Sequence, residues 1–294
     1  MSTVTKKRTV KDFRTDAASW WCPGCGDFGV LAALQQAAAE LNLDPENVAL
    51  VAGIGCSGKI GDYFNSYSVH VVHGRAMPVA TGIKLANRNL TVIAAGGDGD
   101  GYGIGLGHFL HAARRNLDIT YIVMDNQIYG LTKGQFSPTS QLGFETISTP
   151  TGSAERPVRP VLTALTAGAT FVAQAFSGDP KTMAEIFKAA IQHKGFSLVN
   201  CFSPCVTYNK INTYDFFREN LVSVDDDPNY DRHDLEAARQ KVIETNELVT
   251  GIIYQELNTP SYEEHLPGYR EEPIVTQDLT IGKEELQAIM QEFA

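Results

Sequence analysis

No stretch of this 294-residue chain is apolar for the roughly 20 consecutive residues a bilayer span requires, so a membrane protein is not expected. The first residues, Met1 to Arg8, carry charge with no apolar core behind them, which argues against a secretory leader and for a cytoplasmic protein. Positive charge is also in short supply. Against 34 Asp and Glu stand 24 Lys and Arg, a formal net charge of −10, which disfavours nucleic acid as a partner. The one basic run, Lys6-Lys7-Arg8, reads as a solvated tail. Internal repeats and low-complexity tracts are missing. Cysteine is scarce and odd in number: Cys22, Cys25, Cys56, Cys201 and Cys205. A disulfide framework is therefore not expected in a cytosolic chain, and metal or redox chemistry is the better expectation.

What remains is a composition of 43% apolar and 20% charged residues, that of a soluble globular protein. Residues 1–19 are polar and read as an irregular tail. Trp20 to Asp27 is a tight turn built on Pro23 and Gly24. The spacing of apolar positions predicts a helix over 28–41, and Val48 to Ala52 predicts a buried strand. The glycine-rich turn Gly53-Ile54-Gly55-Cys56-Ser57-Gly58 follows that strand. A short strand over 69–72, a turn over 73–78 and a helix over 80–86 come next. Further strands are expected at 90–95, 119–125, 171–175 and 196–202, with helices at 161–168 and 180–193. The loop from Gln135 to Arg159 is long and rich in Ser, Thr, Pro and Gly, a length that is usually functional or ordered by a partner. This alternation predicts an α/β fold with a doubly wound, mostly parallel sheet over 20–205. Residues 206–294 are rich in Asp, Glu, Tyr and Pro. They read as a polar C-terminal arm, too sparse in apolar residues for a core of its own, laid on the domain or on a partner. Within the arm a helix over 234–246, a strand over 251–254 and a terminal helix over 283–293 are expected.

The chain is organised around residues 96–134. The strand 90–95 runs into Gly96-Gly97-Asp98-Gly99-Asp100-Gly101, then a helix, then a strand ending at Asp125-Asn126-Gln127-Ile128-Tyr129-Gly130. Loops at the carboxyl ends of parallel strands share one edge of the sheet, where ligands bind. Asp98 and Asn126 both fall there. A carboxylate and a carboxamide are hard oxygen ligands suited to Mg²⁺, and glycines let backbone N–H groups approach a diphosphate. Gly-Asp-Gly followed 28 positions after Asp98 by Asn126 resembles the metal motif of thiamine diphosphate enzymes.

Cys22 and Cys25 form a Cys-x-x-Cys on a turn before a helix. No strand precedes it, which weakens a thioredoxin-like reading and leaves zinc or iron–sulfur. Cys56 lies in a glycine turn at a strand end, and Cys205 stands past another strand end after Pro204. Cys201 falls inside that strand, where a thiol points into one face of the packing, so Cys205 is the expected fourth ligand. Spacing does not decide between Zn²⁺ and [4Fe-4S]. Cys56, however, sits in the turn expected to touch a bound diphosphate, and one turn shared by two redox centres favours the cluster.

Trp21-Cys22-Pro23-Gly24-Cys25-Gly26, Gly53-Ile54-Gly55-Cys56-Ser57, His73-Gly74-Arg75-Ala76, Gly97-Asp98-Gly99-Asp100, Tyr129-Gly130-Leu131-Thr132-Lys133-Gly134-Gln135 and Ser203-Pro204-Cys205 occur in this order. Together they resemble the β subunit of 2-oxoacid:ferredoxin oxidoreductases, particularly the 2-oxoglutarate type with two kinds of subunit. The resemblance covers roughly residues 15–215 and implies a thiamine diphosphate-binding fold of the diphosphate type. It further implies that Cys22, Cys25, Cys56 and Cys205 bind [4Fe-4S]. Ile54, Gly55, Cys56, Ser57, His73, Gly99, Asp100, Gly130 and Leu131 would surround thiamine diphosphate. Asp98, Asn126 and the carbonyl of Ile128 would hold Mg²⁺. The activity implied is coenzyme A-acylating oxidative decarboxylation of a 2-oxoacid, with electrons passing to ferredoxin. Lys133 is a candidate contact to substrate or coenzyme A. Pyruvate or broad-range 2-oxoacid specificity, an indolepyruvate or oxalate enzyme, and a zinc-stabilised module without catalysis are the alternatives. Thiamine sites lie between two α/β domains and only the diphosphate-gripping one is visible, so an α subunit supplying the pyrimidine side is expected, in an α₂β₂ assembly.

Overall fold

Val48-Ala49-Leu50-Val51-Ala52 is apolar at every position because both faces of its strand are covered, as in parallel sheets generally. The computed structural model describes residues 7–267 and 269–293. In chain order they form α1 (Asp27–Glu40), β1 (Val48–Ala52), the single turn α2 (Ile60–Tyr63), β2 (Tyr67–His70) and α3 (Ala76–Ala86). Then come β3 (Thr91–Gly97), α4 (Leu106–Arg115), β4 (Thr120–Asp125), α5 (Pro160–Ala167), β5 (Phe171–Phe176), α6 (Pro180–Gln192) and β6 (Ser197–Phe202). The chain closes with α7 (Tyr214–Asn220), β7 (Val222–Ser223), α8 (Leu235–Glu244), β8 (Val249–Gln255) and α9 (Lys283–Glu292).

The strands make one eight-stranded sheet in the order β2-β1-β3-β4-β6-β5-β8-β7. From β1 to β6 every pairing is parallel, and β8 runs antiparallel to β5. Successive residues alternate between two cores, as the strand period of two requires. Ala49, Val51, Val92, Ala94, Tyr121, Val123 and Leu198 face α3, α4, α5 and α8. Val48, Leu50, Ile93, Ala95, Ile122, Met124, Val199 and Cys201 face α1 and α6. The result is a three-layer α/β/α sandwich. After β1 the chain steps to one side for β2 and then to the other for β3, so the order reverses between β1 and β3. Such a switch point opens a crevice at the carboxyl ends of the strands. No helix among the described residues is long and apolar enough to cross a membrane.

Several expectations need correction or completion. The tail 1–19 is anchored over its described part: Phe13 is fully buried and stacks on Phe64, and Arg8 pairs with Asp44 at 2.9 Å. Lys6, the first member of the basic run, lies outside the described residues. The turn over 73–78 is shorter than read, because α3 begins at Ala76; Pro78 is accommodated in its first turn, where no intrahelical N–H is needed. The short strand runs over 67–70 rather than 69–72. Beyond Cys205 the sheet does not stop. Val224, Ala238, Val242, Val249 and Ile253 join the core beneath α5. These apolar residues are too few for a second core, but they suffice to complete the existing one. The segment 205–221 also holds α7, which the sequence reading missed; Thr213 caps it and Phe217 seats it on Phe202.

The core makes a direct prediction. Phe109 is fully buried, with ring centroids 5.5 Å from Tyr102 and 6.1 Å from both Tyr121 and Phe196. Phe109→Ala should cost about 3–5 kcal/mol in urea denaturation. A loss below about 1 kcal/mol, within the range of ordinary surface substitutions, would contradict this packing.

Candidate active site at the carboxyl edge of the sheet

Each parallel strand delivers one motif to the same edge. β1 delivers Gly53 to Gly58, the chain after β2 delivers His73, β3 delivers Asp98 to Asp100, β4 delivers Asn126 to Gly130, and β6 delivers Ser203 to Cys205. One cavity is lined by Ile54, Gly55, Cys56, Ser57, His73, Asp98, Gly99, Asp100, Asn126, Ile128, Gly130 and Leu131, with Gly97, Tyr129 and Thr132 completing its wall. All the residues expected around thiamine diphosphate and Mg²⁺ are therefore brought together. Lys133 is not in the wall. It sits exposed at the tip of a loop closed by Tyr129 N–H to Gln135 O at 2.9 Å and Gly134 N–H to Tyr129 O at 2.9 Å. Its φ of +76° is unusual for a residue with a Cβ.

Asp100 does more local work than the sequence suggested. Its Oδ1 accepts from His73 Nδ1 (2.6 Å), Gly74 N–H (2.8 Å) and Ile54 N–H (3.1 Å), clamping three loops. A Cβ on Gly53 would lie 2.1 Å from Asp100 Oδ2, and one on Gly99 would lie 2.2 Å from the Tyr129 ring. Glycine is required at both positions by close approach. Because His73 Nδ1 faces Asp100, its Nε2 is the ring atom left for the cavity.

Asp98 is 1% exposed. Burial raises its pKa, while Ser137, Thr139 and the N–H groups of Asn126 and Gly99 oppose that rise. Thr139 Oγ1 lies 2.6 Å from Asp98 Oδ2 and 2.8 Å from Asp125 Oδ1. A hydroxyl carries one proton, so both contacts are hydrogen bonds only when one of the two carboxyls is protonated. Burial, then the charge of Asp98, push Asp125 up as well. Among the described residues no Lys or Arg pairs with Asp98 or Asp125. An uncompensated buried acid is costly, and a divalent cation is the species that removes that cost. Asp98, Asn126 and Ile128 line the same cavity, and a carboxylate, a carboxamide and a backbone carbonyl are hard oxygen donors of the kind that fits Mg²⁺.

The thiols gather beside this cavity. A Cβ on Gly130 would stand 3.6 Å from both Cys56 Sγ and Cys205 Sγ. Trp21 Nε1 donates to Cys56 O at 2.6 Å, and Gly26 N–H donates to Pro204 O at 3.1 Å, tying the three cysteine-bearing loops together. Burial, with the nearby Asp27 and the other thiols behind it, lifts Cys25 well above the usual thiol range and Cys56 to about 11. Such thiols become thiolate ligands only when a metal centre takes their protons. Among the described residues no three His, Cys, Asp or Glu side chains converge as a single metal ion would require. Cys201 lies apart, fully buried against α1 and α6.

Several neighbours were not singled out from the sequence. Asp27 is fully buried at the start of α1 and accepts from Ser203 Oγ at 2.6 Å; burial raises it to about 6. Ser137, Thr139 and Ser140 come from the long loop. Nothing local marks them, although that loop's length pointed to a function.

A family model described as "Thiamine pyrophosphate enzyme, C-terminal TPP binding domain" matches residues 47–201, and a model of the C-terminal part of the pyruvate ferredoxin oxidoreductase beta chain matches residues 205–271. The chain is 43% identical over 308 residues to 2-oxoacid:ferredoxin oxidoreductase 1, subunit beta, of Aeropyrum pernix, with 97% of each covered. It is 43% identical over 207 residues to the 2-oxoglutarate oxidoreductase subunit KorB of Mycobacterium tuberculosis, covering 70% of this chain and 56% of that one. A solved 2-oxoglutarate:ferredoxin oxidoreductase from Magnetococcus marinus, with 2-oxoglutarate, coenzyme A and succinyl-CoA bound, superposes with a TM-score of 0.90 at 42% identity, over 98% of this chain and 97% of that chain.

The Asp100 clamp is testable through its glycine. Gly53→Ala forces a methyl group into the carboxylate, with an expected loss of about 1–3 kcal/mol in denaturant unfolding. Gly107→Ala, exposed on α4 with nothing near its added Cβ, should gain up to about 1 kcal/mol as the control. Equal stability of Gly53→Ala and the parent chain would remove the clamp from the account.

Proposed function

The chain belongs to the β subunits of the 2-oxoacid:ferredoxin oxidoreductases, and on that premise we propose that it binds thiamine diphosphate, Mg²⁺ and a [4Fe-4S] cluster and carries out coenzyme A-acylating decarboxylation of 2-oxoglutarate with a partner subunit. The products are succinyl-CoA and CO₂, with reductive carboxylation as the reverse direction and ferredoxin as electron partner. The observation that carries the reading is that Cys56 belongs both to the cavity wall and to the thiol group beside Gly130. When bound, the thiazolium ring supplies the electron sink for decarboxylation and the cluster accepts electrons one at a time.

The chain's own residues do the rest. The turns at Ile54–Ser57 and Gly99–Asp100 bring backbone N–H groups to the diphosphate, with Gly130 and Leu131 closing the cavity. His73, held by Asp100, presents Nε2 to the same space. Asp98, Asn126 and the Ile128 carbonyl would hold Mg²⁺, whose charge would offset the buried acids. Cys22, Cys25, Cys56 and Cys205 would hold the cluster, and the turn that carries Cys56 would place it beside the thiamine cavity. Lys133, at its exposed loop tip, is poised for a substrate or coenzyme A anion arriving from outside the cavity.

The 2-oxoglutarate assignment is supported by the KorB relatives and by the Magnetococcus enzyme, whose bound ligands include 2-oxoglutarate and succinyl-CoA. A broad 2-oxoacid range that includes pyruvate is the second reading. It is favoured by the Aeropyrum protein, which aligns over 97% of both chains and is named for 2-oxoacids in general.

Two measurements test the proposal. Cys205→Ser should abolish the brown chromophore and iron content of anaerobically purified protein, whereas Cys201→Ala should keep both; the reverse pattern would overturn the ligand set. The single chain should carry iron yet show no 2-oxoacid oxidation with coenzyme A and a low-potential acceptor. The α subunit, expected in an α₂β₂ assembly and to supply the pyrimidine-side acid, should restore turnover, faster with 2-oxoglutarate than with pyruvate. Robust turnover by the single chain would defeat the two-subunit reading, and equal rates with both acids would favour the broad one.

A further inference from the structure

The long connection between β4 and α5 contains a short run of hydroxyls, Ser137-Pro138-Thr139-Ser140, in which Ser137, Thr139 and Ser140 are buried to 2, 6 and 2% exposure. Buried hydroxyls in a loop need a reason, since each must find a partner. Here the partners are the positions assigned to the metal. Ser137 Oγ and Thr139 Oγ1 both donate to Asp98 Oδ2, at 2.5 and 2.6 Å. Neither hydroxyl takes Oδ1. Ser140 Oγ donates to the carbonyl of Gln127 at 2.6 Å and accepts from Ser137 N–H at 2.7 Å. Gln127 lies between Asn126 and Ile128 and holds a left-handed φ of +56°, a conformation that persists only when its surroundings hold it. The same turn is closed by Ile128 N–H donating to Asn126 Oδ1 at 3.1 Å. The far end of the loop is tied back by Val158 N–H to Pro138 O at 2.8 Å.

We propose that Ser137-Pro138-Thr139-Ser140 is the outer frame of the metal site, and that Thr139 is its principal positioning residue, fixing which oxygen of Asp98 is offered to the cation. The inference rests on the assignment of Asp98, Asn126 and Ile128 to Mg²⁺. Two hydroxyl donors converging on one carboxylate oxygen set the plane of the group and keep the loop's hydroxyls off the other oxygen. Thr139 also reaches Asp125 Oδ1 at 2.8 Å, and Asp125 Oδ2 in turn accepts from Asn200 Nδ2 at 3.2 Å. Asn200 is fixed by Tyr102 Oη at 2.9 Å and by Gln174 Oε1 at 2.9 Å. The frame is thereby anchored in the centre of the sheet, not merely in the loop. Outer partners of this kind orient metal ligands, and their loss commonly lowers metal affinity by about 10–100-fold.

The test uses the complete assembly with its partner subunit, stripped of thiamine diphosphate by chelation, with Mg²⁺ titrated at fixed thiamine diphosphate and binding followed by calorimetry. Thr139→Val should raise the Mg²⁺ concentration for half-saturation by about 10–100-fold while iron content stays at the parent level. Thr139→Ser, which keeps the hydroxyl, should return it close to the parent value. Ser137→Ala, which removes the other donor to Asp98 Oδ2, should shift it in the same direction and tests the same positioning if Thr139→Val does not fold. Mn²⁺ in place of Mg²⁺ gives an electron-resonance signature that a purely structural role for Thr139 would leave unchanged. Parental half-saturation in Thr139→Val and Ser137→Ala, alongside a loss in Asp98→Ala, would overturn the frame and leave the metal assignment standing. Parental Mg²⁺ dependence in Asp98→Ala would remove the assignment beneath it, and the frame with it.

Discussion

The whole site depends on how closely three loops approach one another at the β1/β3 switch point. Asp100 Oδ1 gathers donors from the Ile54 and Gly74 backbones and the His73 ring, and its carboxylate fills the space a side chain at Gly53 would need. Tyr129 does the same over Gly99, and its hydroxyl donates to the Gly99 carbonyl at 3.0 Å. The glycines are thus not loose joints. Their missing side chains are occupied by a carboxylate and an aromatic ring from other loops, and this mutual filling makes the cavity a shape rather than a gap.

A second constraint is charge. Asp27, Asp98, Asp100 and Asp125 are all buried at or beneath one edge of the sheet. Hydroxyls from Ser203, Ser137 and Thr139, together with backbone N–H groups, supply most of their partners, and no Lys or Arg among the described residues pairs with Asp27, Asp98 or Asp125. Hydroxyls can share a burial cost but cannot cancel a charge. An edge built this way is suited to cationic cofactor components, which is the sense in which the fold and the proposed chemistry belong together. The cysteines follow a related logic. Burial pushes the Cys25 and Cys56 thiols up, so a metal centre that takes their protons is what would make ligands of them.

The C-terminal segment has a plainer role. β8 caps the sheet beside β5, and Gln174 Nε2 donates to the Val249 carbonyl at 2.7 Å, joining this segment to the Asn200–Asp125–Thr139 chain. By contrast, α9 buries none of its residues against the described chain. The strands through β8 therefore form one body, and two residues of the cavity wall, Ile54 and Leu131, keep apolar surface exposed.

The sequence by itself determined the fold class and which strand ends meet at the cavity edge. Apolar runs such as Val48 to Ala52 announce strands covered on both faces, and glycine-rich turns after them must share the carboxyl edge because parallel strands point the same way. That reasoning placed Cys56, Asp98 and Asn126 side by side without coordinates. It also separated Cys201, inside a strand, from Cys205 beyond its end. Tertiary structure alone decided what surrounds them. Asp98 is held by hydroxyls 39 and 41 positions away, and Asp27 by one 176 positions away. Asp100 turns to the loops beside it, and Lys133 lies outside the cavity wall. The reason is physical: burial period and turn chemistry are local and repeat along the chain. A single hydrogen bond between distant side chains leaves no periodic trace, and exists only once packing has brought its two ends within about 3 Å.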